Sequence, residues 1–193
     1  MSAFLGPIHF WLYNKIGNQE KLTKEIAEYA ASEGWINNDK AFTKDLHPLE
    51  TVIDEGNIHG WLQERINDAE SRYASLVSHI LKDNADRINT LCSIAFEFGR
   101  ANAVNAESAK DAYKAFEDFF VNGMPCDRVN ALMKESDDEV SFEMTQEIHA
   151  QYWNGEGTMY YTIRKSVMDG MLNGSEWKVD MPDVAHCCIT RKR

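Results

Sequence analysis

HPLETVIDEGNIHGWLQERINDAESRYASLVSHILK, residues His47 to Lys82, is the longest uninterrupted helical pattern in the chain, and the other segments read as pieces packed around it. Pro48 suits a first helical position, because its missing N–H would be unpaired there anyway and its φ is already near the helical value. At about 100° per residue, Val52, Gly56, His59, Ile66, Tyr73, Val77 and Ile80 fall within one stripe, with Glu55 on its edge. The stripe is apolar except at its middle, where Gly56 and Gly60 lie one turn apart beside His59. Two missing side chains next to an imidazole and a carboxylate leave room for a ligand or a neighbouring backbone. This gap is the expected pocket.

Toward the N-terminus, Gly6-Pro7 opens a helix that Gly17 closes, with Leu5, His9, Leu12 and Ile16 on one face. Asn18 then caps a second helix, carrying Leu22, Ile26, Tyr29 and Ala30 inward and ended by Gly34. The polar stretch from Ile36 to Leu46 reads as a connection. Beyond the central stretch, one helix presents Ile88, Leu91, Cys92, Ala95 and Gly99, and another runs from about Glu107 to Val121, stopped by Asn122-Gly123 and Pro125.

After Asp138 the period changes. Val140, Phe142, Met144, Gln146, Ile148, Ala150 and Tyr152 alternate with Ser141, Glu143, Thr145, Glu147, His149, Gln151 and Trp153, which reads as a strand; a helix through Val140, Met144 and Ile148 stays open. A Gly-rich break from Asn154 to Gly157 follows. A helix from about Thr158 to Leu172 comes next, and then a hairpin of Trp177 to Met181 and Ala185 to Ile189 turning at Pro182-Asp183. The expected fold is α+β: an N-terminal helical bundle around one long central helix, followed by a small antiparallel sheet with one packed helix. A single domain over residues 1–193 is expected, with 1–125 helical and 126–193 an α/β closing part.

A net charge of −11 argues against nucleic acid and anionic membranes as partners, since their binders carry Lys/Arg patches. Hydrophobic residues at 44% and charged residues at 26% are globular values, so a packed core is expected. Phe4 to Ile16 is apolar, but it lacks a basic flank and is too short to span a bilayer. Cys92, Cys126, Cys187 and Cys188 form no Cys-x-x-Cys pair, and a reduced, cytoplasmic protein is the natural reading.

Metal motifs are missing: no His follows any Glu by three, and there is no His-Glu-x-x-His. Haem needs only one good axial ligand and stays a candidate cofactor. His9 and His59 each sit centrally on an apolar face. If they converge with Glu55 they form an acid/base group or a ligand set; if not, they are hydrogen-bonded core histidines. Glu143, Glu147, His149 and Trp153 share one face of the proposed strand, either a solvated face or the rim of a cavity. Cys126 stands in a turn near Arg128 and is a candidate thiol nucleophile. His186 and Cys188 share a face of the last strand.

Tyr160, Thr162 and Arg164, with the run from Val140 through Arg164-Lys165-Ser166-Val167-Met168-Asp169-Gly170 to Ala185-His186-Cys187-Cys188-Ile189, resemble the closing unit of the 4-vinyl-reductase-like and haem nitric-oxide-sensor domains. The resemblance implies a helical part placed before a small antiparallel sheet that encloses an apolar ligand or haem. It also implies that Tyr160, Thr162 and Arg164 act as a propionate clamp of the Tyr-x-Ser-x-Arg kind, with Thr for Ser.

The leading functional expectation is a cytoplasmic binding or sensor domain that holds a small apolar molecule or a haem-like cofactor. Its contacts would come from His9, His59, Glu55, Trp61, Trp153, Tyr160, Arg164 and His186, with His149 a further polar contact. An alternative is a small hydrolase or lyase using Cys126, Glu143 and His149, with His149 as general base. A third is a homodimeric interaction module using aromatics such as Trp11 and Trp35.

Overall fold

A computed structural model describes residues 4–155 and 157–193, so Glu156 of the Gly-rich break lies outside the described residues. The fold is α+β, as the patterning predicts, and the chain builds two compact units. One holds the chain up to Asp83 with Phe119–Asp127; the other holds Asn84–Asp118 with Arg128–Arg193. Among the described residues no helix is long and apolar enough to cross a membrane.

The first unit contains α1 (Pro7–Ser32), the single turn α2 (Leu49–Val52) and α3 (Ile58–Asp83). Pro7 stands in the first turn of α1, and the Gly6 N–H donates to His9 Nδ1 at 2.9 Å, so the imidazole caps its own helix. Gly17 does not stop this helix, contrary to expectation. It is buried, Leu46 packs 3.4 Å from where its Cβ would stand, and Asn18 donates to the Phe119 carbonyl instead of capping a second helix. The stop comes at Gly34, whose φ of 70° provides the left-handed residue that ends many helices.

The two long helices run in the same direction. His9 meets His59 near their starts, ring centroids 5.6 Å apart, and roughly three turns further on Arg72 reaches Glu20. A parallel pair requires a long return, and Arg72 fastens it: the guanidinium donates to Glu20 (2.8 Å), to the Phe42 carbonyl (2.9 Å) and to Asp68 (3.0 Å). Lys44 adds a bond to Asp68 at 3.2 Å. Leu12, Tyr13, Ile16, Leu49, Ile58, Leu62, Ile66, Ala69 and Val121 form one core cluster.

The continuous helix from Pro48 to Lys82 is corrected. Residues 53–57 leave the helix because two side chains satisfy the backbone locally: Asp54 accepts the Gly56 N–H at 2.9 Å, and Asn57 accepts the Gly60 N–H at 3.2 Å at the start of α3. Gly56 therefore belongs to an exposed turn. The space beside Gly60 is filled, since a Cβ there would lie 2.3 Å from Asn57 Nδ2. The glycine gap proposed within one long helix does not exist.

The second unit contains α4 (Arg87–Ala101), most of α5 (Ala109–Phe119), β1 (Asn130–Glu135), β2 (Glu139–Met144), α6 (Thr158–Met171), β3 (Trp177–Asp180) and β4 (His186–Arg191). The helices α4 and α5 thus group with the sheet. The strands stand in the order β1-β2-β4-β3, all antiparallel, so two hairpins are joined through β2 and β4. Val140, Phe142, Met144, Trp177, Val179, Cys187 and Ile189 alternate inward. The expected strand from Val140 to Tyr152 ends at Met144, because β4 pairs with β2 only as far as Glu143 opposite His186. The strand β1 was not expected, for its residues from Leu132 to Glu135 are exposed and carry no alternation. Helix α6 lies against α4 in a very close approach: a Cβ on Gly99 would stand 2.1 Å from the Val167 carbonyl oxygen, and one on Gly170 2.1 Å from that of Phe96.

Candidate functional site

The loop after β2 is organised by one carboxylate. Glu147 accepts the backbone N–H of His149 at 3.0 Å and that of Ala150, and takes the Tyr161 O–H at 2.7 Å. These bonds hold a 3-10 turn at Ala150–Tyr152, and Asn154 and Gly155, with φ of 55° and 88°, turn the chain into α6. Burial first, and then the Glu147 bond, push the Tyr161 hydroxyl well above the ordinary tyrosine range.

This loop packs His149 face to face on Tyr160, with ring centroids 3.6 Å apart and planes 20° apart; Trp153 and Tyr161 meet Tyr160 edge-on. The Arg164 guanidinium lies 6.0 Å from the same ring. Four side chains singled out from sequence, His149, Trp153, Tyr160 and Arg164, therefore form one cluster, and all four are buried. They make a packed wall. Arg164 also acts on Cys187: burial pushes that thiol up to about 11, and the guanidinium opposes the rise.

On the outer side of α6 an open cleft of about 390 Å³ is lined by Thr158, Tyr161, Thr162, Lys165 and Ser166 from the helix and by Met181, Asp183 and Val184 from the β3–β4 turn. The hydroxyl protons of Thr162 and Ser166 go to the carbonyls of Thr158 (2.9 Å) and Thr162 (3.2 Å), so their oxygens remain free to accept. Lys165 bonds both oxygens of Asp169 at 2.6 Å. Asp183 accepts the backbone N–H groups of Ala185 and His186 at 2.9 Å and meets His186 Nδ1 at the same distance. Sequence reasoning singled out Thr162, as part of the clamp, and passed over the other cleft residues. The legible signal was the spacing of Thr158, Thr162 and Ser166, three hydroxyls one turn apart on one helix face.

The other expected residues lie elsewhere. His9 is buried with Nδ1 committed to Gly6, His59 is exposed beside it, and Glu55 is exposed in the turn before α3. Trp61 packs on Tyr13 at 5.8 Å with the Arg65 guanidinium over its ring. It also borders a small cleft of about 80 Å³, with Tyr13, Lys44, His47 and Asp68 among its walls. Cys126 is exposed in a 3-10 turn, and its Sγ lies 3.8 Å from Asp127 Oδ1. Glu143 pairs across the sheet with His186, which is exposed and bound to Asp183.

Tyr160 covers one face of His149, His9 Nδ1 is taken by Gly6, His186 is bound to Asp183, and no imidazole lines the large cleft. Tyr160 and Arg164 are buried, whereas Thr162 is exposed. Among the described residues no group of three or more His, Cys, Asp or Glu is placed to hold a metal ion. No known protein family, no curated protein and no solved structure matches this chain.

Proposed function

We propose that the chain is a small-molecule-binding domain of the sensor type, and that its site is the open cleft between α6 and the β3–β4 turn. One observation carries the reading. A cavity of about 390 Å³ brings together a lysine, a carboxylate, three aliphatic hydroxyls and two apolar side chains. That volume falls within the roughly 300–1,000 Å³ of small-molecule sites, and a few convergent polar groups on a firm wall are what such sites require. The buried cluster of His149, Trp153, Tyr160 and Arg164 supplies the wall, since α6 carries Tyr160 and Arg164 inward and Thr158, Thr162 and Ser166 outward. The ligand would sit on the outside of the second unit, not in an internal apolar pocket. Four free thiols support a reducing, cytoplasmic setting.

A thermal-shift screen with metabolite-sized compounds tests the reading, run on the wild type and on Ser166→Phe, which fills the cleft. A true ligand at about ten times its Kd adds about 1.4 kcal/mol to the folded state and raises the wild-type Tm by a few degrees. The filled variant should not respond. Equal responses from both proteins, or none from either, would remove the cleft as a site.

A further inference from the structure

Two hydrogen-bonded pairs of titratable side chains border the cleft, and only one member of each is among its lining residues. Lys165 lines the cleft while its partner Asp169 does not, and Asp183 lines it while its partner His186 does not. The walls thus offer one cationic pole on α6 and one anionic pole on the β3–β4 turn. A ligand with net charge would be attracted at one pole and opposed at the other, whereas a neutral dipolar ligand satisfies both.

The hydrogen-bonding groups divide the same way. Thr162 and Ser166 have given their protons to the helix backbone and present acceptor lone pairs, as does the Asp183 carboxylate, which suits the N–H groups of an ammonium. The Lys165 ammonium has three protons, of which two reach Asp169; the third suits a carboxylate. Met181 and Val184 add an apolar lip that fits a short aliphatic side chain. Resting on the binding reading above, we infer that the cleft takes a small zwitterion of the α-amino-acid kind, its carboxylate toward Lys165 and its ammonium toward Asp183, Thr162 and Ser166.

Norvaline, pentanoate and butylamine form a matched test, because the last two are norvaline without its amine and without its carboxylate. The full chain, carbon-13 labelled at methionine and valine methyls, reports binding through Met181 and Val184 by NMR. Norvaline should shift both methyls, with the two single-charge probes at least roughly tenfold weaker, the size of effect expected from one charge-assisted hydrogen bond. Lys165→Gln and Asp183→Asn should each weaken norvaline by about the same factor, and Lys165→Arg should restore it. The Asn variant keeps an acceptor for the Ala185 and His186 N–H groups, so its turn should persist, and an unchanged spectrum of the free protein verifies this.

Pentanoate or butylamine binding as tightly as norvaline would overturn the zwitterion assignment and leave the cleft as a site. A neutral polyol such as erythritol shifting the methyls where norvaline does not would have the same effect. No shift from any of these probes, nor from a general fragment set, would overturn the binding reading and the ligand class together.

Discussion

Gly157 has an unstrained backbone, with φ of −74°, yet it has no room for a side chain. A Cβ there would stand 2.9 Å from the Tyr161 ring and 3.0 Å from Glu147 Oε1, so the glycine is what lets the carboxylate reach the phenol. Gly157→Ala should separate that pair and cost about 1–3 kcal/mol, as overpacking does. Tyr161→Phe leaves the ring in place and removes one bond to a carboxylate, costing about 1.5 kcal/mol. Urea denaturation of both variants measures the difference, and a Gly157→Ala protein as stable as wild type would refute the contact. The hydroxyls of Tyr161 and Tyr113 are raised mainly by burial, so the folded state keeps protons that the unfolded chain releases above about pH 10. Stability should therefore fall as pH rises beyond that point. Tyrosinate absorbance should grow together with loss of the helical circular dichroism signal, not before it. None of this is visible in the residue pattern around Glu147. The alternation from Thr145 to Trp153 imitates a strand, but Glu147 takes the backbone N–H groups of His149 and Ala150, and the β2–β4 ladder stops at Glu143 opposite His186.

At the scale of elements, the crossing of α4 and α6 reverses an ordinary expectation. Replacing a helical glycine with alanine usually stabilises by about 1 kcal/mol through helix propensity. At Gly99 and Gly170 the added methyl would meet a backbone carbonyl of the opposite helix at 2.1 Å, a group that cannot rotate away. Both Gly99→Ala and Gly170→Ala should be destabilising by about 1–3 kcal/mol, and the double variant should cost less than the sum because both widen the same crossing. Guanidinium unfolding checks the sign, and a stabilised Gly99→Ala would show that the helices stand further apart. The sequence displayed half of this contact, since Gly99 falls on the same face as Leu91 and Ala95. Its partner stayed hidden because periodicity places Gly170 inside the helix from about Thr158 to Leu172 without showing which helix crosses it. The division of the Pro48 to Lys82 stretch was obscured for a related reason. Periodicity weighs apolar side chains, whereas Asp54 and Asn57 end the helix through hydrogen bonds to backbone that periodicity does not register. The hairpin at Pro182-Asp183 was legible because its turn chemistry and its alternation agree.

At the scale of the whole molecule, pH acts through a large global charge and a few local contacts, and the two can be separated. With a net charge of −11 at pH 7, like charges repel more in the compact state than in the unfolded chain. Lowering the pH toward the isoelectric point near 5.0 relieves that repulsion. His186 adds to the trend: its hydrogen bond to Asp183 and that residue's charge raise the imidazole above its ordinary value. A raised folded pKa contributes stability that is fully present below the unfolded value, about 6.5, and lost as pH climbs through the folded one. Asp68 has the opposite sign. Burial alone would raise it, but hydrogen bonds and charge from Arg72 and Lys44 outweigh burial and hold it below the carboxylate range. Its contribution is present above about pH 4 and disappears as pH falls through the depressed value, with the clamp on the return segment failing as Asp68 is neutralised. Calorimetry from pH 3 to 9 should therefore find the highest Tm on the acid side of neutrality, near pH 5–6. Asp68→Asn should lower that maximum and flatten the acid edge, while His186→Ala should flatten the slope between about pH 6 and 8. A Tm that climbs steadily from pH 5 to 8 would show that neither the charge repulsion nor the Asp183–His186 pair governs the fold's response to protons.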